Sequence, residues 1–133
     1  MTAVPFFWID HMERSLAFYR EGLGFTMKHS WLPDGKLEWC WLTRDGASIM
    51  LQQYREGRRP EGKRGLGIDV CFMCDDAIAL YREFRARGIA TDEPFVGNHL
   101  WVTGLTDPDG FRLFFESPTD VAEETRLSEI EPL

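Results

Sequence analysis

The sequence repeats itself. Asp10 lies 65 residues before Asp75, and Phe18-Tyr19-Arg20-Glu21 lies 62 before Leu80-Tyr81-Arg82-Glu83. Gly24-Phe25 and Asp45-Gly46 each lie 64 before their counterparts, Gly88-Ile89 and Asp109-Gly110. A three-residue deletion at the start of the second helix accounts for the change of offset. One supersecondary unit used twice is the simplest reading.

The unit is strand, helix, strand, strand, strand. Residues 4–9 (VPFFWI) read as a strand with Pro5 near its start, where a missing N–H does least harm. Asp10 is placed to cap the helix that follows, on which Leu16, Tyr19 and Leu23 fall at helical spacing before Gly22 and Gly24 end it. Residues 25–32 and 37–43 pair as a hairpin about Pro33-Asp34-Gly35-Lys36, and Arg44-Asp45-Gly46 turns into a strand over 47–53. The second copy gives a strand over 67–74, a helix capped by Asp75-Asp76 and running to Arg87, and a short strand or loop over 89–96. A strand over 100–106 follows, then the turn Asp107-Pro108-Asp109-Gly110 and a last strand from Phe111. Repeat one thus covers about 4–54, a linker 55–65, repeat two about 66–118 and an acidic tail 119–133, all one domain of 133 residues. The linker, REGRRPEGKRG, has five positive charges and two negative and reads as solvated chain. The tail reads as a short exposed helix, or a flap against a partner chain.

Alternation divides the strand residues into two faces. Phe7, Ile9, Ile49, Leu51, Val70, Phe72, Leu113 and Phe115 belong under the helices. The opposite face collects Phe6, Trp8, Ser48, Met50 and Gln52, then Asp69, Cys71, Met73, Arg112, Phe114 and Glu116. Trp39 and Trp41 share a face, but one bulge would reverse which, and the side taken by Trp101 is equally open. Arg112 and Glu116 stand ~13 Å apart along their strand and need not pair.

Composition narrows the partners. Ten Phe, five Trp and three Tyr make the chain rich in flat rings. A net charge of −7 argues against nucleic acid, and no apolar run approaches a membrane span. The N-terminus lacks a basic segment followed by a long apolar one, so no signal peptide is expected. Cys40, Cys71 and Cys74 read as buried, reduced thiols of a cytoplasmic protein, since a strand points Cys71 and Cys74 to opposite faces.

Ile9-Asp10, Ser15-Leu16-Ala17-Phe18-Tyr19, Leu23-Gly24-Phe25 and the run from Asp107 to Glu116 carry a resemblance. Across about residues 4–118 the chain resembles the vicinal oxygen chelate superfamily, which groups glyoxalase I, bleomycin-resistance proteins and extradiol dioxygenases. The resemblance implies an α+β fold in which two βαβββ repeats form a curved mixed sheet around a cavity, with helices on the outer face. It implies too that enzyme members hold a divalent metal at four positions, here occupied by Val4, Met50, Asp69 and Phe114. Only Asp69 among them is a fit donor, and His11, His29 and His99 read as surface or hydrogen-bonded groups.

The expectation is therefore a metal-independent protein with no cofactor and no catalytic residues. It resembles the bleomycin-resistance branch and sequesters an aromatic or hydrophobic compound as a homodimer. Phe6, Trp8, Met50, Gln52, Asp69, Cys71, Arg112, Phe114 and Glu116 are its candidate ligand-binding residues. One alternative is a lyase, isomerase or dioxygenase with an atypical metal centre using Glu116 and Asp69. Another is an interaction module whose cavity Met50 and Phe114 have filled.

Overall fold

The computed structural model describes residues 1–131 and divides the chain into two compact units, Met1–Arg64 and Gly65–Leu133. Each unit contains a mixed four-stranded sheet, and neither sheet is closed. Hydrogen-bonded pairing stays within each repeat, so the expected α+β fold of two βαβββ units has one mixed sheet per unit.

In the first unit β1 (Phe6–Ile9), β2 (Thr26–Trp31), β3 (Trp39–Arg44) and β4 (Ala47–Gln53) lie in the order β1-β4-β3-β2. The β1–β4 contact is parallel and the others antiparallel. Asp45 and Gly46 turn β3 into β4 with φ of 48° and 85°, the doubly left-handed backbone that a two-residue hairpin needs. α1 (Met12–Leu16) runs directly into a π-helical turn, Ala17–Gly22, so the first helix is wound more widely in its second half than the even spacing implied. The N–H of Leu23 donates to the carbonyl of Phe18 five residues back, and the widened turn accompanies complete burial of Tyr19 and Leu23.

The second unit repeats the order. β5 (Asp69–Met73), β6 (Phe95–Gly97), β7 (Leu100–Thr106) and β8 (Arg112–Pro118) form β5-β8-β7-β6, again with one parallel contact. The strand expected within 89–96 is confined to β6, and β5 is shorter than 67–74. α2 (Ala77–Ala86) is capped as its sequence requires, the Asp76 carboxylate accepting the N–H of Ala79 at 2.9 Å. Ala77, Tyr81 and Phe84 make its buried stripe. Phe84 meets Phe115 edge-on at 5.0 Å, and Phe115 stacks on Phe72 at 4.9 Å. Two buried hydroxyls hold the first residue of this helix. Ser117 Oγ accepts the N–H of Ala77, and Thr103 Oγ1 donates to the carbonyl of Ala77, both at 2.8 Å.

The Asp107 turn is built by its own side chain, which accepts the N–H groups of Asp109 and Phe111 at 2.9 and 2.8 Å. Trp101 packs toward the helix, in a cluster with Ala77, Tyr81, Val96 and Leu127. Leu127 opens α3 (Leu127–Ile130), so the tail is no free flap. Its side chain is buried in its own unit, and its N–H donates to the carbonyl of Pro94 at 2.9 Å. Pro132 and Leu133, the last residues assigned to that tail, lie outside the described residues.

Candidate functional site

In each unit one sheet face is packed and the other is open. Burial alternates along β3, β4 and β8, so the split follows strand parity. In the first unit, register brings the open-face residues into two rows, because directly opposed residues share a face. One row runs Phe6, Met50, Trp41, His29, and the other runs Trp8, Gln52, Trp39, Trp31. Cys40, Leu42, Ile49 and Leu51 point the other way and are fully buried.

The sides of Trp39 and Trp41, open from sequence, are therefore settled by their pairing with β4. A register shift between Met27 and His29 does lie in β2, but it falls outside the β3–β4 contact and leaves those two rings in place. It also lets Lys28 carry its ammonium 5.0 Å above the Trp41 ring. Phe6, Trp8 and Trp31 are 45, 42 and 49% exposed, too much for core residues of their size.

The rows continue past the strand end. Tyr54 donates its N–H to the carbonyl of Ile9 at 3.0 Å, and its ring stacks on Trp8 with centroids 5.5 Å apart. Tyr54 was not among the sequence candidates, although it continues the parity of Ser48, Met50 and Gln52. An open cleft of about 570 Å³ lies between Trp31, Glu38, Gln52 and Tyr54. A second, of about 470 Å³, is lined by Trp8, Tyr54, Arg55 and Arg58.

Asp10 does not cap α1. His11 occupies the cap position without a side-chain hydrogen bond, and the Asp10 carboxylate instead accepts from Arg59 and Arg64, each at 2.6 Å. Burial pushes the Asp10 pKa upward, but hydrogen bonds and charge from Arg59 and Arg64 outweigh it and leave it below its ordinary 3.8. The linker is thus anchored at its far end, with the Arg64 side chain only 12% exposed and 5.6 Å from the Tyr54 ring centre. A glycine-rich basic stretch reads as solvated because nothing local reveals a carboxylate 54 positions away.

The open face of the second unit is differently made. Its rows are Asp69, Arg112, Thr106; then Cys71, Phe114, Gly104; then Met73, Glu116, Val102. Arg112 donates to Asp92 at 2.7 Å and to Thr106 Oγ1 at 2.8 Å, and its guanidinium lies 4.9 Å from the Phe114 ring centre. Gly104 makes this possible. A Cβ there would stand 3.0 Å from the Phe114 ring and 3.1 Å from the Arg112 guanidinium.

Cys71 is exposed rather than buried, because it falls on the open side of β5, while Cys40 is fully buried and Cys74 partly so. Desolvation, then the charges of Glu116 and Asp69, raise the Cys71 pKa, and burial pushes Cys40 to about 11. Thiols held protonated in this way are weak nucleophiles.

With the geometry in place, comparison with known proteins is direct. A family model described as the glyoxalase/bleomycin resistance protein/dioxygenase superfamily matches residues 4–115. The chain belongs to that superfamily. Solved structures of the same fold include an antibiotic-binding protein, TnmS3, from Streptomyces sp. CB03234, at 24% identity and TM-score 0.67, covering 90% of this chain and 98% of that one. A bleomycin-binding protein complexed with bleomycin is 21% identical with TM-score 0.68, covering 88% and 98%. A lactoylglutathione lyase from Agrobacterium tumefaciens is 18% identical with TM-score 0.63, covering 88% and 94%. At these identities the likeness is one of fold. No curated protein sequence matches the chain.

A divalent metal centre needs several donors at one point. Val4 precedes β1, Met50 lies between Phe6 and Trp41, and Phe114 lies between Cys71 and Gly104 under the Arg112 guanidinium. Asp69 is the one carboxylate of the four, and it is exposed. Among the described residues no three His, Cys, Asp or Glu side chains gather closely enough to hold an ion. No helix among them is long and apolar enough to cross a membrane.

Proposed function

We propose that this superfamily member is a metal-independent small-molecule binding protein of the bleomycin-resistance type. It sequesters a flat aromatic or hydrophobic compound, and acts in the cytoplasm as a homodimer. One observation carries the reading: the open face of the first unit sets half-exposed Phe6, Trp8 and Trp31 beside partly buried Trp39, Trp41 and Tyr54. Each ring pair is worth ~0.5–1.5 kcal/mol beyond burial, and Trp8 and Tyr54, already stacked on one another, lose little freedom when a planar guest joins them. Met50 offers a polarizable contact that adapts to shape. Gln52 is tied by its amide to the carbonyls of Glu38 and Gln53, which fixes its oxygen as an acceptor.

The open face of the second unit is a polar surface in this reading. Asp69 and Glu116 are acceptors there, Phe114 is a ring under the Arg112 guanidinium, and Cys71 is a neutral thiol.

The test is titration of chelator-treated protein with planar bicyclic compounds, followed by tryptophan fluorescence. Saturable quenching with a dissociation constant of about 1–100 µM, unchanged by chelator, is the expected result. Quenching or turnover that disappears on chelation and returns with a divalent metal would favour an enzyme. No response to any compound would mean a vestigial face. Light scattering at dilute concentration checks the dimer.

A further inference from the structure

The two units carry opposite charge. Met1–Arg64 has ten Lys and Arg against eight Asp and Glu, net +2, while Gly65–Leu133 has five against fourteen, net −9. The excess in the first unit is gathered next to its aromatic pavement, in the segment that follows β4. Of the arginines there, Arg59 and Arg64 both converge on Asp10, whose one charge is shared between them. Arg55 and Arg58 are not. Among the described residues neither has an ion-pair partner, and both line the cleft of about 470 Å³ whose other walls are Trp8 and Tyr54. Among the described residues no acidic side chain lines that cleft.

We infer that the ligand is a planar anion, an aromatic carboxylate or a compound of like charge, stacked along Trp8 and Tyr54 with its anionic group between Arg55 and Arg58. The inference rests on the binding role proposed above and narrows its ligand class.

Three features support it. The walls are two rings held 5.5 Å apart at 29° to one another, an apolar edge for a fused-ring body, with Phe6 tilted at 55° a further 5.8 Å from Trp8. The free cations stand at the end of that edge, where a ring substituent would project. A guanidinium fork matches a carboxylate in shape and charge and binds it more strongly than a neutral amide. The chain as a whole is acidic, so attraction of an anion is a property of this corner and not of the net field.

The test compares 2-naphthoate with its neutral isostere 2-naphthamide on the intact protein, by tryptophan quenching and calorimetry. The expected result is about tenfold tighter binding of the anion at low salt, shrinking as salt is raised. In the R55Q/R58Q double variant, checked by circular dichroism for an intact fold, the ratio of the two constants should fall to about one. Equal binding of both compounds by the wild type would overturn the inference and leave the aromatic-site reading standing. So would a preference for the anion that survives in R55Q/R58Q, since it would place the charge recognition elsewhere. Failure of both compounds to bind would remove the aromatic site, and the inference with it.

Discussion

The two repeats agree on the side that is hidden and disagree on the side that is open. Under the helices, Ile49 and Leu51 in the first unit answer Leu113 and Phe115 in the second, all nearly inaccessible. On the open side the same register positions hold Trp39 and Trp41 in one unit and Val102 and Gly104 in the other, opposite Gln52, Met50, Glu116 and Phe114. Packing density constrains the first set, since a close-packed interior tolerates few volumes. Nothing of the kind constrains the second. A duplicated unit is free to vary where its neighbours are solvent or ligand, and there one copy became a surface of rings and the other a surface of charges.

The largest effects should fall on the shared side. Phe115→Ala should cost about 3–5 kcal/mol and Leu51→Ala about 2–5 kcal/mol in urea unfolding, losses large enough to show in both units. A cost below about 1 kcal/mol at either site would mean that the two cores are not built alike.

The helix starts come next. Asp10 and Asp75 are repeat counterparts, yet Asp10 is clamped by Arg59 and Arg64 while Asp75 is exposed. Asp10→Asn should cost about 2 kcal/mol, since it leaves Arg64 buried and under-compensated, and Asp75→Asn should stay within about 0.5 kcal/mol. Because the folded pKa of Asp10 lies below its ordinary 3.8, its contribution is fully present above that value. It is lost as pH falls through the lowered folded value. The stability gap between wild type and Asp10→Asn should therefore close in strong acid, and a gap that widened instead would reverse the assigned cause.

The open faces supply the finer tests. Trp41→Ala should weaken planar-ligand binding about tenfold, roughly 1.4 kcal/mol, in the fluorescence titration. An unchanged affinity would move the ligand off this surface. Gly104→Ala, which crowds Phe114 and Arg112, should cost about 1 kcal/mol. A neutral result would show that those two side chains can step aside.

Much of this was readable from residue order. The repeat fixed the sequence of elements, and strand parity put Phe6, Trp8, Met50 and Gln52 on the open face of one sheet and Asp69, Cys71, Arg112, Phe114 and Glu116 on that of the other. Parity carried one step further would have found Tyr54. Trp39 and Trp41 needed the strand pairing, because a two-residue period states which residues face together but not toward what. Asp10 was misread for a different reason. A carboxylate ahead of a helix is the usual sign of a cap, and only the folded chain brings Arg64 to it. Leu127 stood in an acidic tail whose charge masked one buried leucine, and Cys71 was read as buried although its parity already placed it on the open face.

The grip on Ala77 has a consequence for how the second repeat breathes. The N–H and the carbonyl of one residue are each bolted by a hydroxyl from a neighbouring strand. The helix is thus clamped at Ala77, held along its length by Tyr81 and Phe84, and free only in the turn past Phe84, where Ala86 is exposed. Fluctuations should fray it from the free end, and amide-hydrogen exchange should slow steadily from Ala86 back toward the clamp.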